Sequence, residues 1–263
     1  MTAKIFVVTS GKGGVGKTTS AINLGAALNY LNQDVIVVDA NLATPNIGLH
    51  LGAPIVPVTL NHVLCEKAGI GEAIYEHSSG MKILPSSLSL NEVKKTGYEN
   101  FRETAKKLKR ISDYVIIDTP AGLGGDVSEI INAGDEVIII TNPELPAVTD
   151  ALKVSKIARE LDKEIRGIII TRVKRVKSEM PSANIKEMIE APIIGVVPED
   201  IAIQQALVMK DAVFHTHPRS KPARAYKEIA ARLIGKSYAS ARQQEALEKA
   251  GFFNRVMKAL GMR

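Results

Sequence analysis

Residues 11–18 read Gly-Lys-Gly-Gly-Val-Gly-Lys-Thr, the GxxxxGK[ST] spacing, and Thr19 follows. Each residue type suits one task in holding a phosphate. The glycines Gly11, Gly13, Gly14 and Gly16 let backbone N–H groups close around phosphate oxygens where a Cβ would clash. Lys17 brings a point charge to the β- and γ-phosphates. The Thr18 hydroxyl is the expected Mg²⁺ ligand. Gly11, Lys12, Gly13, Gly14, Val15, Gly16, Lys17, Thr18 and Thr19 together form the predicted nucleotide-binding set. Two acids support it. Asp118 closes the apolar run Tyr114-Val115-Ile116-Ile117, where it would hold the Mg²⁺ shell through water, and Asp39 closes a second run beside the same site. The predicted metal set is Thr18, Asp39 and Asp118. Gly122, in Pro120-Ala121-Gly122, offers an N–H to sense a γ-phosphate and reorder its loop. The chemistry predicted is ATP hydrolysis, with ATP/ADP and Mg²⁺ as cofactors.

Such a loop works only between a strand and a helix, whose N-terminal dipole and free N–H groups face the anion. Ile5–Thr9 supplies the strand, and residues 17–32 supply the helix, with Ala21, Leu24, Leu28 and Leu31 on one stripe. Val35–Asp39, Tyr114–Asp118, Glu136–Thr141, Ile165–Thr171 and Ile193–Val197 read as further strands. They are β-branched and apolar on both faces, which predicts a mostly parallel sheet covered by helices on both sides. Residues 146–162 and 219–235 carry helix patterns. The alternation predicts right-handed βαβ crossovers and a doubly wound α/β fold. Residues 73–84 read as a possible hairpin at a sheet edge around Ser78-Ser79-Gly80.

The 263 residues allow one large core, and 45% hydrophobic with 24% charged residues excludes disorder and collagen-like order. No apolar run reaches the roughly 18 residues of a spanning helix, and the N-terminus shows no signal peptide. The single Cys65 cannot form an internal disulfide, which fits a reducing cytoplasm. It reads as a small core residue. A net charge of +6 suggests an anionic partner: nucleotide, nucleic acid or acidic lipid.

Lys12 narrows the reading. Lys12 to Thr19 follows K-G-G-x-G-K-[ST]-T and resembles the deviant phosphate loop of the MinD/ParA ATPase family, within the SIMIBI class of P-loop NTPases. VVDANLATPN resembles that family's switch I and DYVIIDTPAGLG its switch II. Thr141–Glu144 and Gly195–Asp200 resemble the MinD branch. The resemblance covers about residues 3–235. It implies that Lys12 crosses a dimer interface to touch the partner's ATP, since a nucleotide's charge is better neutralised by lysines from two chains. It implies catalytic roles for Lys12, Lys17, Asp39 and Asp118. It places the adenine near Thr171-Arg172 and Pro198-Glu199-Asp200, hence Arg172, Pro198 and Asp200 in the nucleotide site. One departure stands out. The family usually has an acid two residues after the first in switch I, and here Asn41 holds that place. An amide positions water but is not a base, so hydrolysis is expected to be slow and partner-stimulated.

After about Gly235 the composition turns polar, which predicts an ATPase domain over 1–235 and a linker over 236–250. Over 251–263, Phe252, Phe253, Val256, Met257 and Leu260 share one helical face, with Arg255 and Lys258 opposite. This pattern reads as an amphipathic membrane-surface anchor and resembles the targeting tail of the MinD branch. A terminal helix packed on the domain and a docking helix for a protein groove are the other readings. The expectation is an ATP-dependent homodimer, peripheral on the inner face of the cell membrane, that recruits a division regulator and helps place the division site. The alternatives are a partition ATPase of the ParA type that binds DNA, or a nucleotide-gated module with little hydrolysis. Lys106–Arg110 and Arg172–Arg175 read as solvated faces, with a DNA surface as the alternative. His215-Thr216-His217-Pro218 reads as a loop with no third metal ligand in view. A lone cysteine argues against the superfamily's iron–sulfur carriers.

Overall fold

A computed structural model describes residues 3–236. Its centre is one eight-stranded sheet: β1 (Lys4–Thr9), β2 (Val35–Asp39), β3 (Tyr75–Glu76), β4 (Lys82–Leu84), β5 (Tyr114–Asp118), β6 (Glu136–Thr141), β7 (Glu164–Val173) and β8 (Ile193–Pro198). The spatial order is β3-β4-β2-β5-β1-β6-β7-β8. Every pairing is parallel except β3 with β4, which is the edge hairpin read from residues 73–84. β7 runs past its predicted end, with register shifts against both neighbours.

The helices are α1 (Lys17–Tyr30), α2 (Ile47–His50), α3 (Leu60–Leu64), α4 (Leu90–Val93), α5 (Phe101–Leu108), α6 (Gly125–Ala133), α7 (Leu145–Glu160), α8 (Ser182–Ile189), α9 (Ile201–Val208), α10 (Val213–Thr216) and α11 (Lys221–Leu233). They cover both faces of the sheet. Side chains alternate along each strand, so Phe6 and Val8 enter a core with Leu24, Leu28, Tyr226 and Ile229 of α1 and α11. Ile5 and Val7 enter the other, with Phe101, Leu108, Val148 and Ile185 of α5, α7 and α8. Both faces of the central strands are dry, which is why their sequences show no polar alternation.

The layout also positions a site. From β1 the chain leaves through α1 to β2 on one side, and from β5 it leaves through α6 to β6 on the other. The crevice at the carboxyl ends of β1 and β5 is therefore the switch point where α/β sheets bind ligands.

Two expectations are corrected here. Cys65 is half-buried rather than in the core, with its Sγ 3.6 Å from the Lys95 carbonyl and 3.7 Å from Thr96 Oγ1. His215 belongs to α10 rather than a loop, and two further metal-type donors, His77 and Asp211, lie beside it. The basic run at 106–110 is a solvated face: Lys106 pairs with Glu103 at 2.6 Å, Lys109 with Asp135 at 2.9 Å, and Leu108 turns into the core. No helix among the described residues is long and apolar enough to cross a membrane. Phe252, Phe253, Val256, Met257 and Leu260 lie outside the described residues.

Candidate functional site

The loop from Gly11 to Gly16 joins β1 to α1 at that crevice. Its conformation depends on glycine at two left-handed positions, Gly14 (φ 77) and Gly16 (φ 90). Gly11 is there for closeness, since a Cβ would stand 2.5 Å from the Asp150 carbonyl oxygen of α7. Val15 anchors the loop by burying its side chain in the core. The Val15 carbonyl accepts a 2.5 Å hydrogen bond from the Thr171 hydroxyl at the end of β7. The sequence reading placed Thr171 near the nucleotide but not in this role.

α1 opens without a side-chain cap and with no acid in its first turn. α9 and α11, by contrast, are capped by Asp200 and Ser220. The free N–H groups and positive dipole end of α1 are thus left for an anion. Lys17 is almost fully buried, with its Nζ 3.7 Å from Asp118 Oδ1. Thr18 Oγ1 donates to Asp118 Oδ2 at 2.5 Å. Among the described residues, Asp118 Oδ1 is buried with no hydrogen-bond partner. Such an oxygen is costly to leave unpaired. The water shell of a Mg²⁺ held by Thr18 would supply its missing donors, so these two residues fit the ion.

Asp39 pairs in register with Asp118 across β2 and β5, but its carboxylate is occupied elsewhere. Its Oδ2 accepts from the Asn46 and Ile47 amides at 2.8 Å each, and Oδ1 accepts from the Asn41 amide at 3.2 Å. Asp39 thereby holds the loop 40–47 and the start of α2. Burial, with Asp118 adding its charge, pushes the Asp39 carboxyl up to about 7 against the pull of those amides. Burial also raises Asp118, opposed chiefly by Lys17. Two buried acids side by side mark a place built for positive charge.

Asn41 is buried and turned into its own loop. Its Nδ2 donates to the Thr44 carbonyl at 2.7 Å and to Thr44 Oγ1 at 2.9 Å, while its Oδ1 accepts from the Thr44 amide at 3.2 Å. No part of the amide is left for water in this arrangement. Gly122 has φ +111, and its N–H donates to the Ser10 carbonyl at 3.2 Å. Switch II is thus latched to the foot of the phosphate loop, and the Gly122 N–H is free to meet a phosphate only when that latch opens.

Lys12 stands apart from the other lysine. Its side chain is 44% exposed, and among the described residues its Nζ reaches only Glu144, at 3.8 Å, whose side chain is 60% exposed. Beside the phosphate loop lies a cavity of about 130 Å³ lined by Gly16, Thr19, Arg172, Pro198, Asp200 and Tyr226 among others. It brings Arg172, Pro198 and Asp200 together next to the start of α1. Arg172 is exposed, with φ 54. Asp200 accepts from the Ala202 amide at 2.9 Å as the cap of α9.

Known proteins share this architecture. A family model described as an AAA domain matches residues 3–171. An uncharacterized ATP-binding protein of Methanocaldococcus jannaschii is 37% identical over 255 residues, 97% of this chain and 96% of that one. The septum site-determining protein MinD of Synechocystis is 34% identical over 242 residues, 88% of this chain and 90% of that protein. The structure of MinD from Pyrococcus horikoshii complexed with Mg-ADP matches with a TM-score of 0.84 at 33% identity, over 88% of this chain and 96% of that one. The matched fold, the intact phosphate loop and the second lysine place the chain in the MinD/ParA family of P-loop ATPases, whose cofactors are ATP/ADP and Mg²⁺.

Proposed function

We propose that this chain is an ATP-driven pairing switch that works at a membrane surface and helps to place the division site. Two copies meet across their phosphate loops with ATP between them, and each Lys12 reaches the other copy's nucleotide. The state of Lys12 supports this reading most. Lys17 is buried beside Asp118 at the chain's own phosphate loop. Lys12 is exposed at the rim, tied only to Glu144 by a surface pair of the kind worth about 0–1 kcal/mol. Little is lost when it leaves Glu144 for a polyphosphate on a second chain.

Pairing brings two tails together. The apolar face of Phe252, Phe253, Val256, Met257 and Leu260 buries ~1.5–3 kcal/mol per side chain at most, and ordering a short helix takes back a large share. One tail is marginal at a bilayer; two on one dimer raise avidity on the order of 10²–10⁴. In this reading residues 1–235 are the ATPase domain, 236–250 the linker and 251–263 the anchor. The attached dimer presents a surface to a division regulator, and hydrolysis releases it. Hydrolysis is slow because Asn41 is held by Thr44 and Gly122 by Ser10. Both loops must be rearranged before water is placed, and a partner protein supplies that rearrangement.

Co-sedimentation with anionic liposomes tests the reading. Attachment is expected with Mg·ATP but not Mg·ADP, and it is lost when residues 252–263 are deleted. A second reading, ATP-dependent attachment to DNA, draws on a cavity of about 630 Å³ lined by Lys174, Arg175, Lys221 and Arg224, although Glu199, Asp200 and Glu228 line it too and Lys174 pairs with Glu199 at 3.2 Å. In a parallel DNA sedimentation arm, salt-sensitive attachment that survives tail deletion selects this second reading.

A further inference from the structure

Away from the nucleotide site, His77, Asp211 and His215 bring one donor atom each within 4.8 Å of one another. His77 sits just after β3, in the turn of the edge hairpin; Asp211 precedes α10, and His215 lies on it. More than a hundred residues separate the first donor from the other two. Asp211 Oδ1 is the hub, 2.8 Å from His215 Nδ1 and 3.6 Å from His77 Nε2. Donors around a tetrahedral ion at ~2.0–2.1 Å stand about 3.3 Å apart, so these spacings bracket the required edge. The two imidazole rings lie nearly parallel, 5.8 Å apart at 11°.

The surroundings orient the donors. Asp211 Oδ1 accepts from the Ala212 amide at 2.6 Å. His77 Nδ1 accepts from the Ser79 amide at 3.3 Å, with Ser79 Oγ 3.0 Å away, which fixes the ring with Nε2 toward Asp211; an ion bound there would displace the Nε2 proton. The three side chains are only 13–25% exposed, which shields the trio from bulk solvent. Two imidazoles and one carboxylate suit a divalent first-row transition ion such as Zn²⁺ and not Mg²⁺, which prefers an all-oxygen shell.

We infer that His77, Asp211 and His215 form a divalent transition-metal site that staples the edge hairpin to α10. The hairpin has strands of two and three residues, so its own pairing is weak. An ion held by both segments closes the long loop between them and binds the folded state alone.

The test uses the untagged full chain, stripped with chelator and titrated with Zn²⁺, with Mg²⁺ as the control ion. One Zn²⁺ is expected per chain, with a rise in melting temperature on the order of 5–10 °C at a hundredfold excess over Kd. His77→Ala and His215→Ala are expected to lose that rise while keeping Mg·ATP affinity. If the variants do not fold, X-ray absorption of the Zn²⁺-loaded natural chain decides. A shell of two imidazole nitrogens plus oxygens supports the site. A sulfur ligand, an all-oxygen shell, Zn²⁺ uptake equal in the variants, or no uptake overturns it.

Discussion

Asn41 gives its whole amide to Thr44, and an aspartate in its place would not do the same. Asn41→Asp keeps an acceptor for the Thr44 amide but loses both donated bonds and sets a carboxylate against the Thr44 carbonyl. The loop 40–47 is expected to loosen by about 1–3 kcal/mol. Faster hydrogen exchange at the Asn46 and Ile47 amides, which Asp39 holds, would report it; unchanged exchange would show that the Asn41–Thr44 pair does not fix this loop. Lys17→Ala removes the buried charge beside Asp118. Nucleotide affinity should fall by ~30-fold or more, read by titration with a fluorescent ADP. Unchanged affinity would remove Lys17 from the phosphate site. At this scale the grouping was legible because types and spacing carry it: Lys17 and Thr18 both lie against Asp118. The roles of Asp39 and Asn41 were not, because their partners are backbone groups of an irregular loop whose path no spacing rule gives. The trio at His77 was hidden for another reason: its members come from distant segments.

Among the elements, α1 carries Lys17 and Thr18 of the site and buries one face against the sheet. Gly25 shows which force governs it. Alanine is the better helix former by roughly 0.5–1 kcal/mol. A Cβ at Gly25, however, would run into the Val37 side chain and stand 2.9 Å from the Met81 sulfur. Overpacking at this level costs about 1–3 kcal/mol, so Gly25→Ala is expected to lower the melting temperature rather than raise it. α11 is tied to α1 by Tyr226, fully buried, whose hydroxyl lies 3.0 Å from Ser20 Oγ. Burial pushes the Tyr226 hydroxyl from 10.0 up to about 12. An acid raised on folding contributes stability below its unfolded value and loses it as the pH climbs through the folded one. The chain should therefore lose on the order of 2 kcal/mol between pH 10 and 12 through this residue. Tyr226→Phe should flatten that part of the urea-midpoint profile; an identical alkaline slope in the variant would show that Tyr226 is not its source. The strands were legible because burial on both faces writes them as unbroken apolar runs. α5, α6, α8 and α9 were not assigned, since each has eight or nine residues and shows too few turns for a period to emerge. In α5 the basic run 106–110 also masks the apolar face of Phe101, Ala105 and Leu108.

For the molecule as a whole, the mostly parallel sheet with helices on both faces and the hairpin at its edge were legible in the alternating strands and helices. The strand order that opens the crevice at β1 and β5 was not, because apolar runs do not say which strands pair. Pairing and membrane attachment involve a second copy and a tail beyond the described residues, so they stand as proposals. They share one dependence. Nucleotide must bind in the chain's own site through Lys17, and Lys12 must then be supplied to another copy. The decisive quantity is the mass of the ATP-loaded protein, measured by light scattering after size exclusion, for the natural chain and for Lys12→Ala. The natural chain is expected to double its mass with Mg·ATP and stay single with Mg·ADP, while Lys12→Ala still binds ATP but stays single. A Lys12→Ala protein that pairs as readily as the natural chain, or a natural chain that never pairs with ATP bound, would contradict the pairing role given to this lysine.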